Sequence, residues 1–288
     1  PRAKGRDTVL LILIPLLLLT LNLAGAPLFD VDEGAFSEAT REMFERHDFI
    51  STWLNGEPRF DKPILIYWLQ AIPVALLGVS EWSFRLPSAL AASLWAGALG
   101  LFAWRRFDRE AGALAALVAA SSFGVFAIGR AATADALLNL WLTLAMLDAW
   151  RHLESREKAP LRRMYLWIAL GALTKGPIAL AIPAIVTLLY CLSRRELGLW
   201  LRAVLDPLGW LILIGIAAPW YWAIYRIHGQ AFIDGFIMKH NVGRFSGAME
   251  GHGGSFFYYL LIVPVLLLPW TSLLVRSVRE AKRDCRDD

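Results

Sequence analysis

The sequence predicts an all-α polytopic membrane protein. Three observations carry that expectation. The 288 residues are 57% hydrophobic and 19% charged, with a mean hydropathy of +0.49. A soluble domain lies well below that apolar fraction. Uncharged runs at residues 8–29, 86–104, 111–129, 207–225 and 253–275 each approach or exceed the ~20 residues a helix needs to cross a bilayer. The charges gather in the short segments between these runs. The net charge of +4 therefore carries no signal for nucleic acid, which is not expected as a partner.

The first run has a basic front (Arg2, Lys4, Arg6) and an Ala-Gly-Ala at residues 24–26 that is similar to a leader cleavage site. Its apolar length exceeds the usual leader core, so it reads as a span. On either reading, the chain beyond residue 29 emerges on the far side of the membrane.

Sidedness follows from basic loops. Segments 105–110, 151–163, 193–196 and 276–286 are short and basic, and with the N-terminus they hold most of the 29 Lys and Arg. They are expected on the cytoplasmic face. Segments 30–85, 130–135 and 226–252 then fall on the outer face. The spans alternate accordingly: 8–29 outward, 86–104 inward, 111–129 outward, 136–150 inward, 207–225 outward and 256–275 inward. Residues 164–193 begin and end at basic flanks, so they cross twice or re-enter. Their centre is Leu-Thr-Lys-Gly-Pro at 173–177, where Gly176 and Pro177 break a helix beside Lys175. Two readings stay open. Short helices meet there around a buried polar site, or a plain hairpin lets Lys175 snorkel to the surface.

The long outer segment carries two helices. Residues 35–46 place Phe36, Ala39, Met43 and Phe44 on one face, as in an amphipathic helix lying in the interface. Residues 62–79 form a second apolar helix. A crossing there would invert every later loop against the charge rule, so it is placed on the outer surface. The organisation is one transmembrane domain over 1–288, with outer loops at 30–85 and 226–255. Cys191 falls in a span and Cys285 in the tail, which gives no disulfide framework.

Charged and polar groups collect on the outer face beside apolar spans. They are Asp30, Asp32 and Glu33, then Asp61 and Lys62, Arg130 and Asp135, and Lys175. His240, Asn241 and Arg244 come next, and His252 leads into the last span. Ionisable groups at membrane depth are functional candidates by default. Each also has a structural reading. Asp32 caps the surface helix, Asp135 caps its span, Lys62 anchors at the interface, and His240 is a structural histidine. A cap accounts for one carboxylate and leaves the others unexplained. Convergence from separate loops favours chemistry. A sugar donor carried on a lipid phosphate needs a cation at the phosphate, from Lys62, Lys175, Arg130 or Arg244. It needs a carboxylate such as Asp32 to take the acceptor proton. Asp-Val-Asp at 30–32 is also similar to the metal-binding motif of nucleotide-sugar transferases, but that motif sits on a nucleotide-binding α/β domain.

Six motifs occur in order: VDEGAFSEATREM, NGEPRFDKPILIYWLQA, SEWSFRLPSAL, GRAATADALLNLWL, LTKGPIAL and KHNVGRF with a later FYY. Together they resemble the bacterial members of the protein O-mannosyltransferase and aminoarabinose (lipid A) transferase superfamily. These are membrane glycosyltransferases of the GT-C type. The resemblance implies a GT-C transmembrane helix bundle and a polyprenyl-phosphate-linked sugar donor. It implies a lipid or protein acceptor and transfer on the periplasmic face of the bacterial inner membrane. It puts Asp32, Glu33 and Asp135 near the reacting centre and Lys62 near the donor phosphate. The aminoarabinose branch usually has Glu before that Lys, and Tyr three residues after the Asp-Glu. Here these are Asp61 and Phe36. Asp61 with His240 matches a divalent-metal position of that branch, though two ligands do not name a metal. Family members usually continue with further spans and a soluble outer domain, so this chain is expected to be a trimmed catalytic half. Two other classes remain as alternatives. A secondary transporter would show internal repeats and mid-membrane acids, and a non-catalytic scaffold or lipid-binding protein would tolerate loss of Asp32 and Lys62.

Overall fold

Helix α1 (Gly5–Thr20) stops well short of residue 29, and the reason lies in two distant arginines. The carbonyls at a helix end need donors, and inside a membrane water does not supply them. Arg130 donates to the carbonyls of Leu19 (3.0 Å), Leu21 (2.6 Å) and Asn22 (2.9 Å). Arg85 donates to those of Leu23 (2.9 Å), Ala26 (2.8 Å) and Pro27 (2.9 Å). The apolar run therefore unwinds after Thr20 with its backbone satisfied. The computed structural model describes residues 5–29, 31–242, 256–274, 276, 277 and 279.

Helix α2 (Asp32–Arg46) buries Phe36, Ala39 and Met43 as the periodicity predicts, and ends at His47 in the left-handed region (φ 53°). A two-stranded antiparallel hairpin comes next, β1 (Trp53–Leu54) and β2 (Glu57–Pro58). Its turn is Asn55-Gly56, both with positive φ (53° and 84°), the pairing that tight hairpins favour. The second outer helix is α3 (Leu65–Leu77). Gln70, fully buried, ties it in. Its amide donates to the carbonyls of Phe84 (3.1 Å) and Ala132 (3.3 Å), and its oxygen accepts from Thr40 Oγ1 (2.8 Å).

Helix α4 (Glu81–Arg106) is capped by Ser80, whose Oγ accepts from Ser83 N at 3.2 Å. The expected 111–129 span is bent by 63° between α5 (Arg109–Ser121) and α6 (Phe123–Gly129). Then come α7 (Asp135–Ser155) and α8 (Lys158–Lys175). Next are α9 (Ile178–Ser193), α10 (Leu197–Val204) and α11 (Pro207–His228). A short α12 (Gln230–Phe232) runs into a π-helical segment (Ile233–Val242), and α13 (Phe256–Leu266) lies further along the chain. Asp206 caps α11, accepting from Gly209 N at 2.9 Å, with Pro207 at the first helical position.

Among the described residues, α4 and α11 are long and apolar enough to cross a membrane, and the bent α5–α6 pair is a third candidate. The other expected spans are shorter, as in α1 and α9, or carry charges toward both ends, as in α7 and α8. Large apolar residues such as Leu17, Leu211, Ile214 and Trp222 face outward, the pattern of a membrane protein whose periphery is covered by lipid. The core lies where α2, α3, α4, α7, α8 and α11 meet, around Met43, Ile66, Tyr67, Leu137 and Ile224. Ala89, Ala92 and Ala96 are fully buried on α4, and such small residues let helices approach closely.

The 164–193 region resolves into the α8–α9 pair, joined at Gly176 and Pro177. Gly176 has φ 77°, and a Cβ there would meet the Phe236 ring at 2.8 Å, so glycine is required twice over. Gly171 lets the two helices close, since a Cβ on it would lie 2.7 Å from that of Ala179. Cys191 is buried in α9, and Cys285 lies outside the described residues.

Candidate active site

The starts of α2 and α7, the end of α8, the 54–62 arm and the π-helical segment converge on one chamber of about 1150 Å³. Each wall brings charge. Helix α2 supplies Asp32 and Glu38, and the arm supplies Glu57, Arg59, Asp61 and Lys62. The first turn of α7 supplies Asp135, the last residue of α8 is Lys175, and the π-helical segment adds Lys239 and His240.

Asp61 is the most constrained group. One oxygen accepts from Arg59 Nη2 at 3.0 Å and the other from Lys62 Nζ at 2.6 Å. His240 Nδ1 lies 3.1 Å from that second oxygen. Burial opposes ionisation of Asp61, but Lys62, Arg59 and His240 outweigh it and hold the carboxyl at about 2. Arg59 also lies over the Phe36 ring, 5.6 Å from its centroid, and Phe36 stacks on the buried Tyr67 ring at 5.5 Å. An aromatic floor thus fixes the guanidinium from below.

Lys175 does not snorkel away from the bundle. It forms an ion pair with Asp135 across the chamber floor. Thr133 Oγ1 lies 3.5 Å from the other Asp135 oxygen. The side chains remain 28% and 41% exposed, so the pair is open to a ligand. Asp135 is not the helix cap, because Ala134 holds that position and no side chain caps α7. Asp32 makes no cap bond either. It is the first residue of α2, exposed at the chamber rim.

Two expected site residues lie elsewhere. Glu33 is buried behind the chamber wall. Its oxygens accept from Arg85 Nε and Nη2 (both 2.8 Å), Ala132 N (2.7 Å) and Phe29 N (2.8 Å). Burial opposes its charge, and these four donors overcome that and keep its pKa below the usual range. Such a saturated carboxylate has no lone pair left for a substrate. Arg130, expected at the donor phosphate, is occupied by the carbonyls at the end of α1. Arg244, Asp30 and His252 lie outside the described residues.

Sequence reasoning misses Arg59 and Lys239 in the chamber, although Arg59 stands inside one of the six motifs. It also misses Arg85 as the partner of Glu33. A lone arginine entering an apolar run is the available signal.

Asp61 and His240 are the residues expected to hold a divalent metal. These two donors face each other, but the Asp61 oxygens are already engaged by Arg59 and Lys62. No group of three or more His, Cys, Asp or Glu is clustered among the described residues. The donor set in this arrangement is a charge cluster and does not fit a metal site.

Comparison with known proteins points the same way as the geometry. Residues 61–222 match the family of dolichyl-phosphate-mannose-protein mannosyltransferases. An undecaprenyl phosphate-alpha-4-amino-4-deoxy-L-arabinose arabinosyl transferase of Pectobacterium carotovorum is 32% identical over 288 residues, covering 96% of this chain and 50% of the relative. That of Aeromonas salmonicida is 34% identical over 277 residues, covering 93% and 50%. The crystal structure of ArnT from Cupriavidus metallidurans bound to undecaprenyl phosphate superposes with a TM-score of 0.84 at 25% identity, covering 95% of this chain and 51% of that one. The chain spans about half the length of these relatives.

Proposed function

The chain belongs to the family of dolichyl-phosphate-mannose-protein mannosyltransferases, and from that premise we propose that it is a membrane glycosyltransferase using a polyprenyl-phosphate-linked sugar. The likeness to a fold solved with undecaprenyl phosphate supports such a donor. Relatives named as aminoarabinose transferases support a pentose-type sugar, and the acceptor is a lipid or a protein. The reaction takes place on the periplasmic face of the bacterial inner membrane, where the positive-inside rule puts the chamber loops. Outer helices α2 and α3 lie beside the membrane surface in this reading. Family membership sets aside the transporter and scaffold alternatives.

One observation carries the proposal. A chamber at one end of the bundle sets Asp32 and Asp135 among four cations, Arg59, Lys62, Lys175 and Lys239. The cations receive the donor phosphate, and Asp61 holds Arg59 and Lys62 in place for it. Asp135 positions Lys175. The acceptor hydroxyl attacks the anomeric carbon, and the bond from that carbon to the lipid phosphate oxygen breaks. The phosphate leaves with its charge held by the cations. Asp32 takes the acceptor proton. Where the acceptor is itself a phosphate, Asp32 only orients it. Glu33 and Arg130 act through the backbone they hold.

The test uses the full-length protein in membranes, supplied with labelled undecaprenyl-phosphate sugars. Asp32→Asn is expected to lower transfer on the order of 10²-fold or more while insertion and thermal stability stay unchanged. Transfer at the parental rate by Asp32→Asn removes Asp32 from the mechanism. No transfer by the intact protein from any polyprenyl donor overturns the reading itself.

A further inference from the structure

The chamber occupies one end of α7 and α8, and the other ends of these helices, with the start of α11, carry a second, chemically different site. Helix α7 has 21 residues, so its two ends stand about 30 Å apart, one bilayer core. From the far end, an apolar slot of about 180 Å³ runs between α7, α8, α9, α10 and α11 toward the middle of the bundle, lined by residues such as Ile168, Leu180, Pro183 and Ala184. It adjoins an open basin of about 900 Å³ that carries Arg156, Lys158, Arg195 and Arg202. His152, Leu161, Leu199 and Ala203 line both, so slot and basin share walls.

The basin is built positive. Its two carboxylates are already engaged. Glu196 accepts from Arg156 Nη2 at 2.9 Å, and buried Asp206 caps α11, with Lys158 Nζ at 3.6 Å. Arg195 and Arg202 are exposed beside them. Helix α10 forms the rim. It buries no residue, and Leu197, Leu201 and Leu205 stand exposed at four-residue spacing. Trp200 turns the other way, its Nε1 donating to Thr187 Oγ1 at 3.2 Å and Ala184 O at 3.3 Å. A short helix with an exposed leucine stripe, an inward tryptophan and flanking arginines is what lies in a lipid interface.

We propose that this slot and basin form a binding site for an anionic phospholipid of the surrounding membrane, at the end of the bundle opposite the chamber. The phosphate headgroup sits in the basin on Arg195 and Arg202, and one acyl chain enters the slot under Trp200. An apolar slot opening directly into a cationic basin matches an amphiphile, where a soluble anion needs only the basin. Bound there, the lipid fixes α10 and the ends of α7, α8 and α11, and of these α7 and α8 carry Asp135 and Lys175 at their other ends.

The full-length protein is reconstituted in phosphatidylcholine containing a small fraction of phosphatidylglycerol with a photoreactive acyl chain, and crosslinked peptides are mapped. Label is expected to concentrate on α9, α10 and the first turns of α11. Unlabelled phosphatidylglycerol displaces it and added phosphatidylcholine does not. The Arg195→Gln, Arg202→Gln double variant, altered only at exposed positions, is expected to weaken labelling on the order of tenfold. Label spread evenly over lipid-facing helices overturns the proposal, as does parental labelling of the double variant. Displacement by inorganic phosphate alone also overturns it, because that assigns the basin to a soluble anion. Labelling needs no sugar transfer, so the outcome is independent of the chamber's function.

Discussion

Glu33–Arg85 and Asp135–Lys175 are both carboxylate–cation pairs, and both sit within reach of one chamber wall. They do opposite work because their surroundings differ. Glu33 and Arg85 are 6% and 7% exposed, and every oxygen and donor between them is matched. Asp135 and Lys175 are 41% and 28% exposed, with capacity left on both groups. A saturated, desolvated pair holds backbone in place. A half-solvated pair can exchange its partner for a substrate. The charge pattern alone does not separate the two roles; the count of competing hydrogen bonds does.

The largest effect is expected from the buried pair. Glu33→Gln leaves Arg85 buried without its counter-ion, at a cost of about 3–5 kcal/mol. Arg85→Met is expected to cost at least as much, since it also strands the carbonyls of Leu23, Ala26 and Pro27. Thermal unfolding of the full-length protein in detergent measures both. If Glu33→Gln melts like the parent while transfer is lost, Glu33 belongs to the reaction and the contrast collapses.

The chamber pair should behave in reverse. Lys175→Met is expected to change stability by less than about 1 kcal/mol, as for other part-exposed ion pairs. It should lower transfer on the order of tenfold to a hundredfold through loss of a charge-assisted contact. Initial rates against donor concentration show whether the loss falls on donor binding. A stability loss as large as that of Glu33→Gln would place Lys175 in the scaffold.

The smallest effect is a pH dependence. The folded pKa of Asp61, about 2, lies below its ordinary 3.8. Its ionised form therefore adds stability at pH values above about 4, and that contribution is lost as pH falls toward 2. Asp61→Asn is expected to lower the melting temperature by a constant amount from pH 6 to 8 and to flatten part of the acid limb of the profile. An unaltered acid limb would mean that Arg59 and Lys62 do not hold the carboxylate.

Much of the molecule is legible without coordinates. The apolar runs indicate the membrane class and the approximate helices, because burial in lipid demands apolar length regardless of packing. The Phe36, Ala39, Met43 spacing marks α2, and Gly176-Pro177 marks the break between α8 and α9. Lys62, Asp61, Asp135, Lys175 and His240 all stand out in the sequence, and all line one chamber. The end of α1 is not legible. Nothing within residues 20–29 announces that Arg85 and Arg130 will supply donors from more than fifty residues away. The bend at Ser122 is hidden for the same reason, since its Phe123 N–H finds the carbonyl of Leu268 at 2.8 Å.

By itself the sequence determined which residues are ionisable, how far apart along the chain they stand, and that a membrane makes such groups costly. Only the tertiary structure decided which of them meet. Asp32 and Glu33 are neighbours in sequence, yet the first turn of α2 points one to the chamber and the other to Arg85. A helix advances by about 100° per residue, so adjacent side chains face different surroundings. What those surroundings hold is set by helices that arrive from elsewhere in the chain.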